Sequence, residues 1–375
     1  MVNEEDKLTY DDLVEEHKID SYKNLLDIIN IDNDEDIREN FIFRGLKKTS
    51  YDLIPSALRY DDKTKEWDIN RFIIESEFIY TITEEHEIEI DGEIKTGFSF
   101  NNINKSHTPI DANPKYDVSS KGFLHFRRES YVLLKFLDYS DKLGLKIPTS
   151  SYVRRRIHNH LSYLPKEKYR WPEPDFYEII SLAQHYGIPT RALDWSYDFK
   201  VALYFAVEDV LQNNTEDCVL WAFNYKLFED NYNPHLKIIN PTHEIDELVI
   251  YRPEYNNNSN LRSQKGLFTF LPVDINEANN VMSFDKIITD LLIERRYHYE
   301  YDKNIIYHIG GFREFSIKND EKIFHKFIIS GDLKAKILKE LYNDGYAPEN
   351  IYPGFNGVVE SIEKHVKLAN ILNKH

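Results

Sequence analysis

The sequence predicts one α+β domain in which a mixed, mostly antiparallel sheet is surrounded by helices. Short alternating or continuous apolar runs indicate strands, and segments with helical apolar spacing lie between them. No internal repeat and no low-complexity linker divides the 375 residues, so a single domain with an insertion accounts for the chain. Because 41% of the residues are hydrophobic, this domain can bury a substantial core.

Helical spacing of apolar residues, capping residues and Gly or Pro stops define the predicted helices. They span 9–30, 66–82, 124–143, 151–163, 171–187, 199–212, 285–298 and 333–345. Residues 348–372 are predicted to form a turn followed by a final helix. The predicted strands are FIFRG (41–45), CVLWAFNY (218–225), GLFTFLPV (266–273) and KIFHKFIIS (322–330). Residues 1–40 are therefore predicted to form an N-terminal helical segment, and 41–375 the main domain.

One segment of the main domain is predicted to be an insertion. Asp91 and Gly92 lie between two alternating runs, and this dipeptide is typical of a β-hairpin. The chain from about 98 to 122 is rich in Asn, Ser and Pro, which indicates a loop. The hairpin and loop together make 84–122 the predicted insertion.

Charge and composition narrow the classes of function. The net charge of −17 argues against broad nucleic-acid binding, because such a surface repels phosphates. A single cysteine, Cys218, excludes an internal disulfide framework and a cysteine-based zinc site, and the histidines show no metal-like spacing, so we expect no metal. The acidic N-terminus lacks the apolar core of a signal peptide, and no long apolar run is present. We therefore expect a soluble cytoplasmic protein with no membrane association.

The motif Phe43-Arg44-Gly45 is the first candidate for a site. Arg44 is predicted at the end of an apolar strand, where its five donors could hold a phosphate or a carboxylate. Gly45 would let the chain turn and another group approach the backbone. The alternative is that Arg44 forms a buried structural ion pair.

The motif AQHYGIPTRALDW is the second candidate. Gly187 is predicted to end a helix in the left-handed conformation, and Pro189 prevents its continuation. The polar groups around this stop are Gln184, His185, Thr190, Arg191 and Asp194. They could build a binding or catalytic site. The alternative is an ion pair between Arg191 and Asp194 that locks the joint between two helices.

A third candidate precedes the predicted strand at 266–273. Arg262 and Gln264 are two positions apart, so strand alternation would direct both to one face. We expect Arg44, His185 and Arg262 to line one cleft.

These motifs resemble the FRG domain family. The triplet that begins at Phe43, followed by Tyr51, Leu53, Pro55, Ser56 and Arg59, is similar to the opening of that family. AQHYGIPTRALDWSYDFKVALYFA resembles its longest internal signature, and RSQKGLF and NIYPGFNG follow in the family order. The resemblance covers about 41–360, with 84–122 the least similar part. It implies a bacterial or phage-associated role in toxicity or antiphage defence.

The FIFRG strand is also similar to the first strand of ADP-ribosyltransferases. This resemblance implies an ADP-ribosyltransferase-like fold with NAD as substrate, its phosphate or ribose held by Arg44. Gln264 falls where those enzymes carry an acidic residue, and a glutamine can neither act as a base nor carry charge. Glu129 and Glu314 are alternative acids.

Three hypotheses for function follow. The first is an ADP-ribosyltransferase-like enzyme, and the second is a non-catalytic module that senses a nucleotide-type small molecule or a peptide and regulates a separate protein partner. The third is a nuclease in which His185 and Asp194 act as acid and base on a phosphodiester. The predicted catalytic residues are His185, Asp194 and Gln264. The predicted ligand-binding residues are Phe43, Arg44, Gly45, Arg59, Gln184, Thr190, Arg191 and Arg262.

Overall fold

The computed structural model describes residues 8–29, 40–74, 80–90, 93–102, 120–155, 170–231, 248–255, 258–279, 281–301, 317 and 321–373. Seven strands form the main sheet: β1 (Val14–Ile19), β2 (Phe41–Leu46), β3 (Leu193–Ser196), β4 (Cys218–Asn224), β5 (Val249–Tyr251), β6 (Gly266–Phe270) and β7 (Phe324–Ile329). The described α-helices are α1 (Tyr10–Leu13), α2 (Tyr22–Ile29), α3 (Lys121–Lys142), α4 (Ser151–Arg154), α5 (Tyr177–His185), α6 (Phe199–Val207), α7 (Tyr225–Asn231), α8 (Ser259–Ser263), α9 (Phe284–Tyr301), α10 (Lys334–Asn343), α11 (Pro348–Ile351) and α12 (Phe355–Leu372).

The sheet is mixed, with strand order β1-β7-β4-β2-β3-β6-β5. The β1–β7 pair is parallel, and the other neighbouring pairs are antiparallel. The structure therefore confirms the predicted α+β class with a mostly antiparallel sheet and surrounding helices. It does not confirm a likeness to ADP-ribosyltransferases.

Alternation along the central strand β4 divides the core between the two faces of the sheet. Leu220 and Ala222 pack with helices α6 and α10 on one face. Trp221 and Phe223 pack on the other face with Phe284 of α9. The predicted buried strand around Cys218 is confirmed, and burial raises the pKa of the Cys218 thiol to about 12.

The N-terminal prediction is wrong in one element. A helix was predicted over 9–30, but β1 interrupts it between α1 and α2. Val14 and Ile19 are buried at the two ends of β1, and every residue of that strand lies in register with a residue of β7. Pairing with a strand about 310 positions away outweighs the local helical spacing, which only α2 retains.

The helix predicted over 66–82 is also wrong. Residues Glu66–Trp67 form a short strand against Tyr60–Asp61, and a 3₁₀ turn follows at Asp68–Phe72. The Trp67 ring packs against that of Tyr60 at 5.1 Å, so a cross-strand aromatic contact determines the local structure.

The hairpin is confirmed, with Tyr80–Ile90 paired to Glu93–Asn102. The second strand extends through residues predicted as loop, and 103–119 lie outside the described residues. Of the helix predicted over 151–163, Ser151–Arg154 is described and 156–169 are not. Helix α6 ends at Val207 and continues as a 3₁₀ turn to Gln212. Among the described residues, no helix combines the length and apolarity needed to cross a membrane.

Candidate functional site

A cavity of about 350 Å³ opens between strands β2, β3 and β6, the C-terminal end of α5, helix α6 and Tyr352. Its polar lining comes from Arg44, Gln184, His185, Asp194, Ser196 and Gln264. Its aromatic lining comes from Phe43, Trp195, Phe205, Phe268 and Tyr352. The volume falls within the roughly 300–1,000 Å³ of ligand pockets in proteins. We call this cavity the Arg44 cleft.

The cleft forms where β2 and β3 diverge. These strands share one registered pair, Phe43 with Ser196. Beyond it, Nη1 of Arg44 donates to the backbone carbonyl of Asp194 at 2.5 Å. The guanidinium thus satisfies a carbonyl that would otherwise lack a partner in the sheet. The separation of the two strands leaves the space in which the polar side chains meet.

Arg44 and Asp194 form the charged centre of the cleft. Nη1 of Arg44 lies 2.6 Å from Oδ1 of Asp194. The Arg44 side chain is 9% exposed, whereas that of Asp194 is 55% exposed. Desolvation opposes ionisation of Asp194, but the Arg44 charge and hydrogen bond, together with Gln184, lower the pKa of this carboxyl below its usual value. Asp194 is therefore an accessible, ionised carboxylate.

The Nε of Arg44 is buried and has no hydrogen-bond partner among the residues that the structure describes. An unsatisfied buried donor on a charged group costs free energy. The alternative prediction that Arg44 forms an ion pair is confirmed, and its partner is the exposed carboxylate of Asp194.

Gln184 connects the two sequence motifs. Its Nε2 donates to Oδ1 of Asp194 at 3.2 Å, and its Oε1 accepts from Oγ1 of Thr190 at 2.7 Å and Oγ of Ser56 at 3.2 Å. The Ser56 hydroxyl also accepts from the Thr190 amide at 3.0 Å. Thr190 therefore supports the wall of the cleft through Gln184, and it is not a lining residue itself.

His185 ends helix α5 at the edge of the cleft, and Gly187 follows in the predicted left-handed conformation with φ 83°. Desolvation lowers the pKa of His185, against an opposing effect of Asp194. Nε2 of His185 lies 3.3 Å from Nδ2 of Asn260. A neutral imidazole at this position can accept a proton.

The third motif differs from its prediction. Residues Ser259–Ser263 form helix α8, so strand alternation does not apply to Arg262 and Gln264. Gln264 lines the cleft, and its Nε2 donates to the Ile351 carbonyl at 3.4 Å. Arg262 is exposed and does not line the cleft.

Arg191 also lies outside the cleft lining. It is 4% exposed and forms an ion pair with Glu129 of α3, to which its Nε donates at 3.1 Å. The predicted pairing of Arg191 with Asp194 is wrong, because each residue has a different partner. Trp171 also donates to Glu129, at 2.8 Å, so this carboxylate is committed to the core and is not the alternative acid of the cleft. Glu314 lies outside the described residues.

Phe43 lines the cleft, and Gly45 has a packing role that the sequence did not indicate. A Cβ at Gly45 would lie 2.0 Å from the Ala202 carbonyl oxygen, because helix α6 crosses β2 at this point. The close approach is therefore made by a helix, and β2 continues to Leu46 without the predicted turn.

Arg59 lines a neighbouring open depression of about 1210 Å³. Its Nε donates to the Ile54 carbonyl at 3.1 Å. Desolvation lowers the pKa of Arg59, and the positive charge of Arg44 acts in the same direction. The carboxylates of Asp194 and Asp68 act in the opposite direction.

The predicted site residues omit several that the structure brings to the site, among them Ser56, Ser196, Phe205, Asn260 and Tyr352. Ser56, Ser196, Phe205 and Tyr352 belong to segments that were already quoted for the FRG resemblance, so they could have been included. Asn260 lies in a polar loop-like run with no local signal.

One protein-family model matches part of the chain. The FRG domain model matches residues 127–215, so the chain carries an FRG domain over that stretch. This stretch contains Gln184, His185 and Asp194, and it excludes Arg44 and Gln264. No curated protein and no solved structure matches the chain.

Proposed function

We propose that the protein is an enzyme that binds NAD in the Arg44 cleft and transfers its ADP-ribosyl group to an acceptor. The observation that carries this proposal is the nearly buried guanidinium of Arg44 beside the exposed carboxylate of Asp194, both in the lining of one cleft. A guanidinium suits a phosphate oxygen, and a carboxylate suits a developing positive charge on ribose. The aromatic lining provides surfaces for the flat rings of a nucleotide.

In the proposed reaction, the bond between ribose C1′ and the nicotinamide nitrogen breaks, and its electron pair leaves with nicotinamide. A lone pair of the acceptor then forms a new bond to C1′, and the acceptor proton passes to a base. Arg44 holds the diphosphate, Asp194 stabilises the oxocarbenium-like charge, and His185 accepts the proton. Gln264 orients the ligand by hydrogen bonding.

Other residues have supporting roles in this proposal. Gln184 and Thr190 fix the Asp194 carboxylate, and Phe43 forms part of the wall. Arg59 attracts the second phosphate from the neighbouring depression.

Non-catalytic binding is the second candidate function. It is favoured by the 2.6 Å contact between Arg44 and Asp194, because a carboxylate held by a guanidinium is less available to a reaction. In that case the cleft senses a nucleotide-type ligand and regulates a separate protein. The nuclease hypothesis uses the same His185 and Asp194, and the net charge of −17 disfavours a polynucleotide.

The biological setting follows from the FRG resemblance alone. We propose that the activity serves as a toxin or in antiphage defence, with a cellular macromolecule as acceptor. Expression in a host cell tests this part. We expect toxicity from the wild type and tolerance of folded Arg44 and His185 variants.

Nicotinamide release tests the enzymatic proposal. Purified protein is incubated with NAD and a cell extract, and nicotinamide is followed by mass spectrometry. We expect release by the wild type and a loss of roughly 10²–10³-fold for Asp194→Asn, the size of effect seen when one electrostatic contact to a transition state is removed.

Asp141→Asn is the matched control, because Asp141 forms an exposed ion pair with Arg154 at the same distance of 2.6 Å. Its rate should equal that of the wild type. Absence of nicotinamide release by the wild type in every extract would rule out the transferase and leave the binding module.

A further inference from the structure

Three side chains of the types that bind metal ions lie close together at the edge of the sheet opposite β5. Strand β1 carries Glu15 and His17, and strand β7 carries His325. Glu15 and His17 are two positions apart, so they lie on one face of β1. His325 is in register with Glu15 across the parallel pair and therefore lies on the same face. Strand pairing thus brings three side chains together from positions that are far apart in the sequence.

The distances among the three ligand atoms match a metal site. Nε2 of His17 lies 3.1 Å from Nδ1 of His325. Oε2 of Glu15 lies 3.6 Å from the His17 nitrogen and 3.4 Å from the His325 nitrogen. Ligand atoms at about 2.0–2.2 Å from a tetrahedral Zn²⁺ are separated by roughly 3.3–3.6 Å. The three atoms therefore already form a triangle of nearly the size that zinc requires.

The two imidazoles are held in place by aromatic neighbours. The His17 ring packs on Phe327 with ring centroids 4.9 Å apart, and the His325 ring lies 5.8 Å from that of Phe41. The side chains of His17 and His325 are 16% and 25% exposed, and that of Glu15 is 48% exposed. The histidines are therefore oriented by the protein, while the carboxylate side remains open to an incoming ion.

The neighbouring cations are engaged elsewhere. Lys326 pairs with Glu16 at 2.5 Å, and Lys322 donates to the Asp12 carbonyl at 2.8 Å. Neither lysine forms a described ion pair with Glu15, so this carboxylate has the two histidines as its partners.

We propose that Glu15, His17 and His325 bind a divalent transition-metal ion of the zinc class. Two imidazoles and one carboxylate are a ligand set that Zn²⁺ accepts, and water completes the coordination. The three ligands lie on β1 and β7, and β4 lies between β7 and β2 in the sheet, so none of the three belongs to a strand that lines the Arg44 cleft. Its effect is to join β1 to β7 by coordination bonds, in addition to the backbone pairing of these two strands.

The test uses the full-length chain, freed of metal with a chelator and then titrated with Zn²⁺ or Co²⁺. We expect the wild type to bind one equivalent of Zn²⁺, to show the visible absorption of four-coordinate Co²⁺, and to unfold at a higher temperature with Zn²⁺. His17→Gln and His325→Gln should lose all three effects. Glu15→Gln should weaken binding by at least about tenfold, since loss of an outer-shell partner alone costs roughly 10–100-fold.

His365→Gln is the control, because His365 is exposed on α12. It should bind Zn²⁺ as the wild type does. The proposal is overturned if the wild type binds no stoichiometric Zn²⁺, or if the site variants bind it as tightly as the control. Circular dichroism of the metal-free proteins identifies any variant that fails to fold. If a histidine variant fails to fold, Glu15→Gln still tests the proposal, because the Glu15 side chain is 48% exposed and its replacement leaves the core unchanged.

Discussion

Gly45 illustrates how a single residue of the Phe43-Arg44-Gly45 triplet is fixed by packing. The backbone of α6 approaches β2 so closely that a Cβ would lie 2.0 Å from the Ala202 carbonyl oxygen and 2.7 Å from the Ala206 amide. Atoms of two backbones cannot move apart without separating the helix from the strand. Helix α6 also lines the Arg44 cleft, so the position of Gly45 influences the shape of the cleft.

We therefore expect Gly45→Ala to destabilise the protein by about 3 kcal/mol or more, at the upper end of overpacking effects. Urea unfolding measures the change in free energy. Gly187→Ala is the control, because no atom lies within 4 Å of its Cβ and the cost should be only the roughly 1–2 kcal/mol of a left-handed backbone. A Gly45→Ala protein as stable as the wild type would contradict the packing account.

At the same scale, the sequence identified Arg44 as a residue suited to anions but could not identify its partners. Asp194 lies 150 positions away, and the contact depends on the divergence of two strands. Similarly, the partner of Arg191 is 62 positions away on α3, and the nearer Asp194 was an incorrect choice. Ion-pair partners depend on tertiary structure, which local spacing does not contain.

At the scale of elements, Glu129 of α3 joins this helix to the segment between α5 and β3 through its buried ion pair with Arg191. His125 and Glu129 are one helical turn apart, and Nε2 of His125 lies 3.3 Å from Oε1 of Glu129. Desolvation lowers the pKa of His125 from 6.5 to about 4, with Glu129 opposing and Arg191 adding to the effect. His125 is therefore neutral in the folded protein at pH 7.

This shift makes stability depend on pH. Below pH 6.5 the unfolded chain binds a proton at His125 that the folded protein does not, so the free energy of unfolding falls as the pH decreases to about 4. The difference between the two pKa values corresponds to roughly 3 kcal/mol. We expect His125→Gln to reduce the fall in stability between these pH values by about this amount, measured by urea unfolding.

His365→Gln, a change at an exposed histidine, should leave the pH dependence as in the wild type. An equal slope in His125→Gln and the wild type would show that His125 does not experience the expected desolvation.

There is a physical reason why some elements were predicted from the sequence and strand β1 was missed. Strands β2, β4, β6 and β7 and helices α3, α5, α6 and α10 were predicted because their apolar periodicity is strong and their caps are local. Strand β1 was missed because half of the residues of VEEHKI are exposed and the strand is held by pairing with β7. The same error concealed the proposed metal ligands, since Glu15 and His17 share a face only in a strand.

At the scale of the whole molecule, the Arg44 cleft joins segments from four parts of the chain. These are β2, the α5–β3–α6 segment, the α8–β6 turn and Tyr352. The sequence motifs indicated the first three because they combine polar residues with Gly and Pro in apolar surroundings. The FRG domain match covers only the second, so the remainder of the cleft is defined by the structure.

The measurement that tests the central claim most directly is equilibrium binding of ADP-ribose by titration calorimetry. It probes the cleft without requiring turnover, so it applies to the enzyme and to the binding module alike. Loss of a hydrogen bond from a charged donor costs about 1.5–3 kcal/mol, so Arg44→Gln should weaken binding by roughly ten- to a hundredfold. Arg154→Gln should bind as the wild type does. Equal affinity of Arg44→Gln and the wild type, with both folded, would contradict the assignment of this cleft as the nucleotide site.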